Sequence, residues 1–130
     1  MNGVDELPDL AGRWALHGVT LAPDGAPLYE WDGALIIGAK GNGFSAMVET
    51  EGMKTSRACS FAEKITRQAD GRWHLRYAYE ADPDHPATEG HTFFGLSQIT
   101  FAPDLQSGEG TSCNYNGRYV VIQLGIKRLD

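Results

Sequence analysis

A chain of 130 residues, 42% of them hydrophobic, is long enough for one domain with a core and too short for two. Its formal net charge of −6 argues against duplex DNA or RNA as a partner, because polymer binding needs a basic surface that releases counterions. No apolar stretch approaches the ~20 residues that cross a bilayer, and residues 1–9 lack the basic and apolar regions of a signal peptide, so a cytoplasmic location is expected.

Turn signals recur at short spacing, from Pro23-Asp24-Gly25 to Asn116-Gly117, and no stretch carries a helical period. They delimit eight segments, at about 12–21, 28–39, 43–50, 54–67, 72–81, 89–101, 105–114 and 118–129. In the first, Trp14 and Leu16 share a face, and a bulge at Gly18 is expected to bring Val19 and Leu21 onto it. In the second, Tyr29, Trp31, Gly33, Leu35 and Ile37 alternate with Asp32, Ala34 and Ile36; in the third, Phe44, Ala46 and Val48 alternate with Ser45, Met47 and Glu49. The fourth sets Ser56, Ala58, Ser60 and Ala62 against Arg57, Cys59, Phe61 and Ile65. Period two is cleanest in the fifth (Trp73, Leu75, Tyr77, Tyr79) and the sixth (Phe93, Gly95, Ser97, Ile99, Phe101). The seventh is small and polar, and the eighth repeats Val120, Ile122, Leu124 and Ile126.

Short connections force antiparallel neighbours, and eight such strands close most economically as an up-and-down, lipocalin-like β-barrel. The expected fold is therefore all-β: one barrel domain over 1–130, with 1–10 as an N-terminal extension. A two-sheet sandwich is the alternative. Gly12-Arg13-Trp14 on the first strand and Arg128 on the last predict a structural plug, the guanidinium stacked on the indole. The plug assigns function to the opposite rim, where the long polar 82–90 connection falls.

Candidate ligand-binding residues follow from that rim. Ser56 and Ser60 offer hydroxyls on one face of the fourth strand, and Tyr77 and Tyr79 form the upper part of an aromatic ladder. His91 and Thr92 open the sixth strand, and Arg118 opens the last; Arg57 and Arg76 fall on the opposite face from the serines and the ladder. The four histidines are scattered, without a metal-binding spacing, so no metal is expected. No nucleophile–base order suggests a catalytic triad, and no cofactor motif is present, so no catalytic residue and no cofactor are assigned. Cys59 and Cys113 sit on non-neighbouring strands and are expected to be free thiols.

Five segments in order are familiar: Tyr29-Glu30-Trp31-Asp32-Gly33, then Thr55-Ser56-Arg57-Ala58-Cys59-Ser60-Phe61-Ala62, then Leu75-Arg76-Tyr77-Ala78-Tyr79-Glu80-Ala81-Asp82-Pro83. Gly90-His91-Thr92 and Gly125-Ile126-Lys127-Arg128-Leu129 complete the set. Together they resemble the β-barrel sensor domain of SMODS-associated, two-transmembrane, β-strand-rich effectors, which act in bacterial antiphage (CBASS) defence. The resemblance implies a barrel that binds a cyclic oligonucleotide made by a partner synthase. In that family a pair of upstream helices then disrupts the membrane. This chain starts at Met1 without such helices, so the expectation is a soluble sensor, adaptor or decoy. Two alternatives stay open: a lipocalin-like carrier of an apolar molecule, and a lyase or isomerase using His91 with a carboxylate. The residues leave undecided whether the barrel is hollow.

Overall fold

A computed structural model describes residues 7–50, 57–81, 93–115 and 119–129. Eight strands follow one another: β1 (Gly12–Leu21), β2 (Pro27–Lys40), β3 (Gly43–Thr50), β4 (Arg57–Arg67), β5 (Trp73–Ala81), β6 (Phe94–Phe101), β7 (Ser107–Tyr115) and β8 (Tyr119–Arg128). Each pairs antiparallel with the next, and β8 pairs with β1, so the sheet closes into an up-and-down barrel. Closure leaves no free outer strand, which is how a sheet with one apolar face avoids edge-to-edge association. Among the described residues there is no helix, hence none long and apolar enough to cross a membrane.

The plug end is built from both chain ends. Trp14 is fully buried, its Nε1–H donates to the Leu10 carbonyl at 3.0 Å, and Leu10 is itself fully buried. Phe101 meets the indole edge-on at 5.4 Å. The Arg128 guanidinium lies 4.5 Å from the indole centroid and donates to the carbonyls of Leu105, Ala11 and Asp9. One side chain thus caps the ring and ties down the N-terminal segment and the β6–β7 turn. Leu105 in that turn has a positive φ of 59°, a backbone cost the surrounding contacts must offset.

Two expectations about facing are corrected. No bulge occurs at Gly18: Trp14, Leu16, Gly18 and Thr20 all face inward, and the register slips only between Thr20 and Leu21. The reason is the Trp31 indole on β2. A Cβ on Gly18 would come within 2.3 Å of it, so the glycine leaves the room that a bulge would otherwise have to make. On β4 the irregularity lies between Ser60 and Ala62. It turns Ala62 outward and brings Glu63 and Ile65 inward, where they pair with Tyr77 and Leu75.

That bulge also loosens one wall. The described β3–β4 ladder holds only Met47–Cys59, Val48–Ala58 and Glu49–Arg57. Below it, side chains replace the backbone ladder. The Ala46 N–H donates to Ser60 Oγ at 2.8 Å, and the Ser60 hydroxyl donates to Glu63 at 2.7 Å. Lys40 closes the staple on Glu63 at 3.0 Å. Burial opposes the Glu63 charge, but the Ser60 and Lys40 hydrogen bonds outweigh it and hold the carboxyl below its ordinary range.

Candidate functional site

Burial divides the interior into two halves. Around the plug, Trp14, Leu35, Leu75 and Phe101 have no exposure, and this half is solid. Towards the other end the inward residues Trp31, Val48, Thr50, Phe93, Asn114 and Val120 are only half-buried. They line a cup. Its floor is Tyr79 and Ser112, 8% and 5% exposed.

The polar groups of the floor are neutral and already joined. The Tyr79 hydroxyl on β5 and Ser112 Oγ on β7 are 2.7 Å apart, reaching each other over β6. Gly95 makes this possible, since a Cβ there would stand 2.6 Å from the Tyr79 oxygen. Burial pushes the Tyr79 phenol above its usual value, against hydrogen bonds from Ser112 and Asn114. Tyr77 lies one layer deeper, 3% exposed, with its ring 6.0 Å from that of Tyr79. Burial pushes its phenol up to about 12, partly opposed by Ser97. Both tyrosines are therefore neutral hydrogen-bonding groups at any physiological pH. On the cup wall the Trp31 Nε1–H donates to Thr20 Oγ1 at 3.1 Å. Asn114 completes the set: its Oδ1 is buried and has no hydrogen-bond partner among the described residues. Such an acceptor has already lost its water, so a ligand N–H that reaches it meets no further dehydration cost there.

The residues named from sequence separate into three groups. Tyr79 is at the floor of the cup, Tyr77 in the core beneath it, and Ser60 level with Tyr79 on β4 but engaged in the staple. Trp14 and Arg128 close the opposite end. Ser56, His91, Thr92 and Arg118 lie outside the described residues. Arg57 faces outward in an ion pair with Glu49 at 3.4 Å, and Arg76 is exposed on the outer wall. Cys59 and Cys113 are not joined in a disulfide. Sequence reasoning did not single out Trp31, Ser112 or Asn114 as cup residues. The alternation of Ser112 and Asn114 in the polar seventh strand was the available signal, and it becomes legible once β7 is registered against β6.

Outside the barrel, His17 is clamped between two carboxylates, Nδ1 at 2.9 Å from Asp32 and Nε2 at 3.1 Å from Glu30. The hydrogen bond to Asp32, then that to Glu30, raises its pKa above the usual 6.5. A raised folded-state value gives a stabilising contribution that is complete below pH 6.5 and disappears as pH climbs through the folded pKa. Proton NMR titration of the imidazole is expected to show a midpoint above 6.5 that falls in Asp32→Asn.

Comparison with known families places this architecture. The model of the family described as "Cap15, cyclic dinucleotide receptor domain" matches residues 5–128. No curated protein matches the chain.

Proposed function

The chain belongs to the family of the Cap15 cyclic dinucleotide receptor domain, and from that membership we propose that it holds a cyclic oligonucleotide in the cup, as the sensor of a bacterial antiphage system. The observation that carries the location is the neutral polar floor, Tyr79–Ser112–Asn114, set under half-buried aromatic walls. Bases need ring faces to stack on and donors or acceptors at their edges. Trp31 and Phe93 supply faces. Tyr79, Ser112 and the vacant Asn114 acceptor supply edges, with Tyr77 and Ser97 supporting them from below.

The phosphates need a separate partner. None of the described inward residues of the cup is charged. The connections 51–56, 82–92 and 116–118 join strands whose ends meet at this rim, and they carry Lys54, His91 and Arg118 in sequence. Arg118 is the residue assigned to phosphate, with Ser56, His91 and Thr92 as hydrogen-bonding groups of the rim. A sensor is preferred to an adaptor or a decoy because the family is described as a receptor domain.

Isothermal titration against a panel of cyclic di- and trinucleotides tests the reading. One member is expected to bind stoichiometrically, with affinity weakened at least tenfold in Arg118→Ala. Absence of heat with every member would refute it.

A further inference from the structure

The outer wall opposite β1 and β2 carries a groove of about 630 Å³ that spans β4 to β8. Register fixes its layout. One row across the sheet reads Ala62, Ala78, Leu96, Cys113 and Val121, all small or apolar. Leu96 is 60% exposed and Val121 48%. The row nearer the rim begins with the exposed Glu80 on β5 and continues as apolar surface with Phe94, Tyr115 and Tyr119, whose rings lie in contact. Contiguous apolar surface of this extent marks an interaction site.

The row below holds the second observation. Lys64 on β4 and Arg76 on β5 are direct cross-strand partners. Like charges so placed repel and destabilise a sheet. No carboxylate relieves them: neither makes an ion pair among the described residues, and the neighbouring Glu63 carboxyl is turned inward to Ser60 and Lys40. In a chain of net charge −6, a paired cationic spot at the lip of an apolar groove calls for an anion from outside.

We propose that this face docks an acidic amphipathic helix of a partner protein, its apolar stripe along the Ala62–Val121 row and its carboxylates on Lys64 and Arg76. The geometry favours a helix. β5 to β8 are paired on both sides, so no partner strand can be added and only side chains are on offer. The row crosses four interstrand spacings, roughly 19 Å, which a helix of about 13 residues covers. The groove backs onto the cup, since Tyr77, Ser97 and Ser112 also border it, but the peptide and nucleotide titrations are read separately, so either reading can fail without the other.

The probe is a fluorescent 15-residue helical peptide with leucines every third or fourth residue and flanking glutamates, titrated by anisotropy against the full chain. Micromolar or tighter binding is expected, and the same peptide with lysines for glutamates should bind at least tenfold more weakly. Lys64→Glu separates docking from folding. It converts the repelling pair into an attracting one, so the melting temperature should hold or rise while affinity falls at least tenfold. Leu96→Glu should abolish binding. No binding by the acidic peptide, equal binding of both peptides, or undiminished affinity in Lys64→Glu would overturn the proposal. So would a wild-type dimer in sedimentation that Leu96→Glu dissociates, since the face would then belong to a second copy.

Discussion

Trp14→Ala should destabilise the barrel by about 3–5 kcal/mol, the range for removing a fully buried tryptophan, and urea unfolding would measure it. The loss has three parts. Its indole fills the plug end against Phe101, its Nε1–H satisfies the buried Leu10 carbonyl, and its face carries the Arg128 guanidinium. Arg128 would lose its platform while still holding the Leu105 and Asp9 carbonyls. For a domain of ordinary stability, about 5–15 kcal/mol, this can remove most of the margin. Trp14→Phe is the milder companion. It keeps an aromatic plug and drops the indole donor, so a loss of about 1–3 kcal/mol is expected. If Trp14→Ala unfolds within about 1 kcal/mol of wild type, the plug is not what closes this end.

Tyr79→Phe is expected to damage the cup while leaving its shape. The ring stays packed on Tyr77, but Ser112 loses its 2.7 Å partner and the Asn114 side chain loses its anchor. Leaving buried polar groups unpaired costs about 1–3 kcal/mol of stability. The larger consequence is for binding. Ser112 and Asn114 would no longer be held to a single arrangement, and affinity for the cyclic oligonucleotide should drop at least tenfold. Tyr77→Phe is the control one layer below: comparable destabilisation, with a much smaller effect on affinity. Calorimetric titration of the two variants beside wild type separates a cup residue from a core residue. Equal losses of affinity would move the ligand away from the Tyr79 floor.

Strand alternation and turn chemistry made the barrel readable, because period two survives wherever a strand has one wet face and one dry one. Trp14 and Arg128 were readable as a pair because both sit at strand ends where aromatic and cation meet across the closing β1–β8 ladder. Facing failed at two places for a shared reason. Gly18 and the Ser60–Ala62 bulge answer to neighbours on other strands, the Trp31 indole and the β3 edge, and no local pattern contains those. The cup was half legible. Tyr79 stood out as an aromatic on a clean strand. Ser112 and Asn114 lay in a strand whose small residues hide its alternation, and their role depends on a partner 33 residues away in sequence.

Chemical-shift mapping by NMR tests the central claim most directly: that the cup at the end opposite the plug is where a cyclic oligonucleotide binds. Titrating the labelled chain with the tightest member of the panel should shift the Trp31 indole, the Asn114 side-chain amide and the backbone around Tyr79 and Ser112. The Trp14 indole should stay still. Shifts centred on Trp14 and Phe101, or on the outer row at Leu96 and Val121, with the cup unmoved, would contradict it.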